Sequence, residues 1–149
     1  MATSLPKNQI FIASDHAGFI LKSFLITELQ KLKFNVIDLG CDSADKSVDY
    51  PDFADKLAKK IKKNTDFGIL VCGSGVGISI AANRHKHIRA ALCNSAKLAK
   101  LSRNHNDANV LALGARIITQ KSALTIAKTF FATQFEGQRH ERRVAKLSK

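Results

Sequence analysis

A cysteine at the end of a predicted buried strand is followed directly by a loop of small residues. The strand is Phe67–Val71, Cys72 ends it, and the loop consists of Gly73, Ser74, Gly75, Val76 and Gly77. A helix is predicted from about Val76, so the thiol lies beside backbone amides and a helix N-terminus. These groups favour a thiolate and can hold an anion. We therefore expect Cys72 to act as a base or a nucleophile, with the loop amides contacting a ligand oxygen.

Two familiar motifs do not fit this loop. A dinucleotide-binding fingerprint should follow the first strand, where only Gly18 occurs, so Asp38 is not a ribose ligand despite its suitable distance along the chain. The nucleophile elbow of hydrolases needs glycines at both outer positions around its nucleophile. Around Ser74 those positions hold Cys72 and Val76.

Polar residues follow other predicted elements. Asp15-His16 comes directly after the first strand, as a possible helix cap or as part of a site. The run Arg103-Asn104-His105-Asn106-Asp107 ends the fourth helix, where Asn104 alone could be a C-cap and His105 a proton donor. His85-x-His87 has the spacing of metal ligands but no third ligand nearby, so we interpret it as a solvated basic loop.

Positive charge is concentrated in two segments. The formal net charge is +12, most of it contributed by Arg84–Arg103 and Arg139–Lys149. This excess predicts an anionic partner, either nucleic acid or a small phosphorylated ligand, although lysines also serve solubility. Arg139 and Arg143 lie four residues apart, which lets both guanidinium groups reach one phosphate. Arg116 comes just after the fifth strand, at the same edge of the sheet.

The elements that position these residues alternate between strand and helix. Five apolar strands, the fourth at Ile88–Leu92 and the fifth at Val110–Leu113, predict a parallel α/β sheet covered by helices on both faces. Ser95 and Thr119 are candidate N-caps, and the fourth helix bears Leu98 and Leu101. We expect one domain over residues 1–149, a basic C-terminal helix from about residue 138, and the strand order 2-1-3-4-5.

Composition narrows the class of protein. The apolar runs are too short to span a membrane, and Met1–Gln9 has no signal-peptide core. The three cysteines, Cys41, Cys72 and Cys93, have no metal-ligand spacing and suit a reducing compartment. We expect a cytoplasmic protein in which Cys41 and Cys93 are buried in the core.

Together these motifs resemble the type B ribose-5-phosphate isomerases, in the larger family that includes galactose-6-phosphate isomerase subunits. The likeness extends over nearly the whole chain. It is carried by Ser14-Asp15-His16-Ala17-Gly18, Asp49-Tyr50-Pro51, Cys72–Asn83, Ser102–Asp107 and Glu136–His140. The resemblance implies a Rossmann-like three-layer sandwich that isomerises a phosphorylated sugar without metal or organic cofactor.

The resemblance also implies a role for each site residue. Family members use a cysteine base or an acidic residue beyond the glycine loop, and here the second position holds Ile78, so Cys72 is the expected base. His105 and Asp15 would open the sugar ring. Binding of the sugar and its phosphate is implied for the loop amides and for Asn106, His16, Arg116, Arg139 and Arg143. A homodimer or tetramer with shared sites is implied as well.

Other functions remain open from the residues alone. The sugar could be a hexose 6-phosphate of the allose or galactose type instead of ribose 5-phosphate. A nucleic-acid-binding domain would use the basic segments, but these contain no aromatic residue for base stacking. A cysteine hydrolase would pair Cys72 with His105 and form a covalent intermediate.

Overall fold

Strands and helices alternate along the chain in a computed structural model that describes residues 9–148. The strands are Gln9–Ser14 (β1), Asn35–Asp38 (β2), Asp66–Cys72 (β3), Ala90–Leu92 (β4) and Val110–Gly114 (β5). The helices are Phe19–Lys31 (α1), Tyr50–Lys60 (α2), Val76–Ala82 (α3), Ala96–Asn106 (α4), Gln120–Ala132 (α5) and Arg139–Ala145 (α6), followed by a 3-10 turn at Lys146–Ser148.

All strand pairs are parallel, and helices cover both faces of the sheet, which confirms the predicted class. Side chains of successive strand residues pack into two separate apolar layers, because the side-chain period of a strand is two. Helices α1, α4 and α5 cover one layer, which includes Ile69 and Val71. Helices α2 and α3 cover the other, which includes Leu70 and Cys72. The Cys72 side chain therefore points to the face of the sheet that α2 and α3 cover.

The predicted strand order is wrong for the last two strands. The observed order is β2-β1-β3-β5-β4, so β5 pairs with β3 and β4 lies at the edge. The reason is burial: β5 is five residues long and buried throughout, whereas β4 has only three residues, all partly exposed. The chain still leaves β1 on one side towards β2 and then crosses to the other side of β1 to form β3. A ligand cleft is expected at this switch point, at the carboxyl ends of β1 and β3.

Helix termini follow the predicted capping residues. The Ser95 hydroxyl accepts from the Leu98 amide, and the Thr119 hydroxyl from the Ser122 amide, which satisfies first-turn donors of α4 and α5. The predicted helix bearing Leu98 and Leu101 is present as α4, but these leucines are not the residues that it buries. Leu98 is 48% exposed, and the helix buries Ala99, Ser102 and Arg103 instead.

A fully buried lysine joins α1 to β2. The ammonium of Lys22 lies 2.8 Å from Oδ1 of Asp38, and the same carboxylate oxygen accepts from the Gly40 amide. The Lys22 ammonium also lies 5.1 Å from the centre of the Phe19 ring. Asp38 has the distance along the chain of a ribose ligand, but its carboxylate instead binds Lys22 and the amide of Gly40, in the segment after β2.

Residues 1–8 and 149 lie outside the described residues, as does most of the N-terminal segment considered for a signal peptide. Within residues 9–148, no helix has both the length and the apolar character needed to cross a bilayer. Cys41, Cys72 and Cys93 are all buried and unpaired. Burial raises the pKa of the Cys93 thiol, with a smaller opposing contribution from its hydrogen bond to Ser102, so this thiol is a protonated core group.

Candidate active site

The Cys72 thiol lies at the carboxyl end of β3 and is almost completely buried. The Gly75 amide donates to its Sγ at 3.2 Å, and the Val76 amide donates to Oγ of Ser74 at 3.2 Å. A hydrogen bond to sulfur stabilises the thiolate form, which is the reactive one. Two loop amides are thereby occupied, so Gly73, Ser74 and Gly77 supply the remaining amides of the expected ligand-binding set.

Close packing explains the glycines of the loop. Gly75 has φ of +80°, and a Cβ there would lie 2.5 Å from Cδ1 of Leu92. A Cβ on Gly77 would lie 2.5 Å from Cζ of Tyr50, because the tyrosine ring covers this residue. Sequence reasoning assigned Tyr50 no role, although Asp49-Tyr50-Pro51 was among the motifs that carried the resemblance. The ring forms a partly exposed wall of the site.

Arg116 follows β5 and reaches the glycine loop. Its amide donates to the Gly73 carbonyl at 2.9 Å, and its Nη1 lies 3.0 Å from the position that a Cβ on Gly73 would occupy. This contact depends on the observed strand order, since β5 lies directly beside β3. The guanidinium group therefore places a positive charge next to the loop.

The residues after β1 lie at the same edge. The Asp15 amide donates to the Val71 carbonyl at 3.2 Å, next to Cys72, and the buried Asp15 carboxylate accepts from the Gly18 amide. Nδ1 of His16 accepts from the Val48 amide at 3.2 Å. The neutral ring consequently carries its proton on Nε2, which is free to donate. Asp15, His16, Cys72 and Arg116 thus share the carboxyl edge of the sheet.

The remaining predicted site residues lie at the opposite end of the strands, where β5 begins. Helix α4 ends at Asn106, and the chain then enters β5 at Val110. Val110 is in register with Gly68, whereas Cys72 is in register with Gly114, about 13 Å further along the strands. His105 and Asn106 are therefore separated from Cys72 within one chain. Helix α6 packs beside them and carries Arg139 and Arg143.

A stacked pair of histidines connects α4 to α6. The rings of His105 and His140 are 4.4 Å apart at an angle of 14°. Burial lowers the pKa of His140, and the neighbouring His105 and Arg139 lower it further, so His140 is neutral at pH 7. Sequence reasoning missed His140, which only its position directly after Arg139 could have indicated.

The same histidines and Glu136 raise the question of a metal. Their potential ligand atoms lie within 4.8 Å of one another, and Nε2 of His140 has no hydrogen-bond partner. An imidazole binds a metal in the plane of its ring, however, and two nearly parallel stacked rings do not direct their lone pairs to one point. The arrangement does not fit a shared metal ion. His85 and His87 instead contact the Asp55 carboxylate and the Ala58 carbonyl.

Comparison with known proteins identifies the family to which this arrangement belongs. The sequence profile of the Ribose/Galactose Isomerase family matches residues 10–147, which is nearly the whole described chain. The chain belongs to this family.

Several members are close in sequence and structure. The probable ribose-5-phosphate isomerase B of Mycoplasma genitalium is 49% identical, over 93% of this chain and 92% of that protein. The structure of ribose 5-phosphate isomerase B from Anaplasma phagocytophilum is 52% identical, with a TM-score of 0.91 over 94% of this chain and 96% of that one. A Mycoplasma genitalium structure with bound ribulose-5-phosphate is 48% identical, with a TM-score of 0.90 over 94% and 93% of the two chains.

Proposed function

We propose that this protein interconverts ribose 5-phosphate and ribulose 5-phosphate, as a single isomerase domain of the pentose phosphate pathway. The observation that carries the proposal is the buried Cys72 thiol, which receives the Gly75 amide at 3.2 Å beside a loop of small residues. A similar chain that binds ribulose-5-phosphate, 48% identical over nearly its full length, supports this substrate class over the alternatives. The free buried cysteines suit a reducing cytoplasm.

Cys72 is the base in the proposed reaction. The thiolate removes the proton from C2 of the open-chain aldose, which leaves an enediolate. The hydroxyl proton on O2 passes to O1, and the protonated thiol returns its proton to C1, so the carbonyl group moves from C1 to C2. The Gly75 amide stabilises the thiolate before the transfer. The amides of Gly73, Ser74 and Gly77 contact the enediolate oxygen, where negative charge develops, and Arg116 adds a nearby positive charge. These steps require neither a metal nor an organic cofactor.

Ring opening and phosphate binding use the other residues. His105, together with Asp15, transfers the proton that opens the furanose ring, while Asn106 and Nε2 of His16 bind sugar hydroxyl groups. Arg139 and Arg143 hold the phosphate, since they are exposed and four residues apart on α6. Phosphate binding positions the reacting carbons at the thiol.

A second copy of the chain completes the proposed site. Cys72 and His105 lie at opposite edges of the sheet, so one chain cannot apply both to one sugar. In a homodimer, or a tetramer built from such dimers, the carboxyl edge of one chain faces α4 and α6 of its partner. Two equivalent sites then form by symmetry.

An isomerase assay with purified protein tests the proposal. We expect turnover of ribose 5-phosphate, and a loss of about 10²–10⁴-fold in kcat for Cys72→Ala, the usual contribution of a general base. Cys93→Ala, which removes a buried thiol on the other face of the sheet, is the matched control and should retain turnover. Near-normal activity of Cys72→Ala refutes the role of the thiol. Faster turnover of allose or galactose 6-phosphate would reassign the substrate.

A further inference from the structure

A charged cavity lies at the amino ends of the strands, away from the proposed catalytic thiol. It has a volume of about 210 Å³ and lies between the loop before β3, the start of β5 and the residue before β4. Phe67 lines it, whereas Cys72 lies five residues further along the same strand, about 16 Å away. Neither Arg139 nor Arg143 lines it. We call it the amino-edge cavity.

Positive side chains dominate its lining. The cationic groups are Lys62, Lys63, Arg89 and Arg103, and Asp107 is the one carboxylate among the lining residues. Asp66 lies next to the cavity, where its carboxylate accepts from the amides of Lys62 and Lys63 at 3.0 and 2.9 Å. Even when Asp66 is counted, two positive charges remain in excess.

The two arginines of the cavity differ in which of their N–H groups remain available to a ligand. Arg103 uses Nε on the Thr133 carbonyl and Nη1 on the Asp107 carboxylate and the Ala108 carbonyl, and its guanidinium lies over Phe67 and Phe130. Arg89 uses Nε on the Asp107 carbonyl and Nη2 on its carboxylate, so other N–H groups of its guanidinium remain to bind a ligand. Asp107 thus holds Arg89 in place without using all its donors.

The lysines carry the uncompensated charge. Their backbone amides are fixed by Asp66, and both residues are exposed. Within residues 9–148, no carboxylate lies within 4 Å of either ammonium group. Asn109 stiffens the opposite wall, because its side chain accepts from the Arg89 amide and donates to the His87 carbonyl. A fixed guanidinium opposite two free ammonium groups is an arrangement that binds phosphate.

We propose that the amino-edge cavity binds a small phosphorylated molecule, as a site separate from the one that contains Cys72. Lys62 and Lys63 contact the phosphate oxygens, and Arg89 adds a directional N–H donor from the other side. Phe67 and Ile61 offer apolar contact to the organic part of the ligand. The cavity accommodates one phosphate with a small attached group and is too small for a polymer.

Titration with inorganic pyrophosphate tests the proposal. The Arg139→Ala/Arg143→Ala protein serves as background, because it lacks the phosphate-binding pair of the isomerase site. Calorimetry at low salt should show saturable binding to this protein. Adding Lys62→Ala/Lys63→Ala should weaken that binding about tenfold, the effect expected from two exposed charged contacts. Amide NMR shifts should change at Lys63–Phe67 and Asn109.

A matched variant separates a specific site from general charge. Lys59→Ala/Lys60→Ala removes the same charge from exposed residues at the end of α2 that do not line the cavity. It should change the dissociation constant by less than about twofold. No saturable binding in the background protein, or equal weakening by the two double-lysine variants, overturns the proposal. Circular dichroism melts verify that each variant is folded.

Discussion

The imidazole of His140 is the least expected side chain near the proposed phosphate-binding residues. It is buried, it stacks on His105, and its Nε2 lies 3.7 Å from the Glu136 carboxylate, beyond hydrogen-bonding distance. Positive groups also surround it, since Arg139 and Arg143 precede and follow it on α6. Burial and these neighbouring charges lower the pKa of His140, so its ring is neutral at pH 7.

This lowered pKa makes stability depend on pH. Above the ordinary imidazole pKa of about 6.5, His140 is neutral in both the folded and the unfolded chain. Below it the unfolded chain takes up the proton first, so the free energy of unfolding decreases as pH falls. We expect the fall in Tm between about pH 7.5 and pH 5.5 to be smaller in His140→Gln than in the wild type. An unchanged fall in His140→Gln contradicts the prediction.

The two arginines of α6 allow a direct test of phosphate binding. Arg139→Ala/Arg143→Ala should raise KM for ribose 5-phosphate by about 10²–10⁴-fold, since each of the two charge-assisted contacts is worth about 1.5–3 kcal/mol. Arg142 lies on the same helix and is equally exposed, so Arg142→Ala is the control. Steady-state kinetics measure both. A KM that stays at the wild-type value in the double variant excludes these residues as the phosphate site.

At the level of elements, the sequence predicted the five strands but not which strands pair with each other in the sheet. Hydrophobic periodicity marks where strands and helices lie, whereas neighbours depend on which strand is buried on both faces. Val110–Gly114 is uninterrupted and apolar, and this could have marked it as central, while the short Ala90–Leu92 follows a charged residue.

Helix α4 shows a second limit of periodicity. Arg103 is only 7% exposed because its guanidinium lies over Phe67 and Phe130 and is bonded to Asp107. Such burial needs partners on β3 and α5 as well as the neighbouring Asp107, so no local pattern predicts it. The glycine loop was predictable for the opposite reason, since Cys72–Gly77 is contiguous. The stacking of His105 on His140 depends on how α6 returns to α4.

The buried ion pair between α1 and β2 predicts an asymmetry between its two partners. Asp38→Ala leaves the Lys22 ammonium buried without a carboxylate, and should lower the free energy of unfolding by about 2–4 kcal/mol. Lys22→Met replaces the lysine by an apolar side chain of similar length and leaves a carboxylate that is half exposed, so its loss should be about 1 kcal/mol or less. Urea unfolding measures both, and equal losses contradict the prediction.

At the level of the whole molecule, the separation of Cys72 from His105 is the basis of the proposed shared site. Strands β3 and β5 are parallel, so Cys72 at the end of β3 and His105, shortly before β5, lie at opposite ends of the strands. The proposed site therefore exists only between chains.

Mixed oligomers test this arrangement. Cys72→Ala and His105→Asn should each be nearly inactive alone, but the unselected mixture obtained by co-expression should recover about a quarter of wild-type turnover. In a dimer, half of the randomly paired molecules are mixed, and each mixed molecule has one intact site of two. If the mixture never exceeds the sum of its parents, both residues act within one chain and the shared site is excluded.

The distance between the two edges also changes what an inhibitor of this protein must look like. A sugar analogue has to compete with the substrate for the residues around Cys72. If the proposed shared site is correct, a molecule that covers the end of α4 and the exposed face of α6 needs no resemblance to sugar or phosphate, because it would keep His105 and Arg143 from the thiol of a neighbouring chain. A screen for such compounds would first measure dissociation of the oligomer into single chains and then measure the loss of turnover.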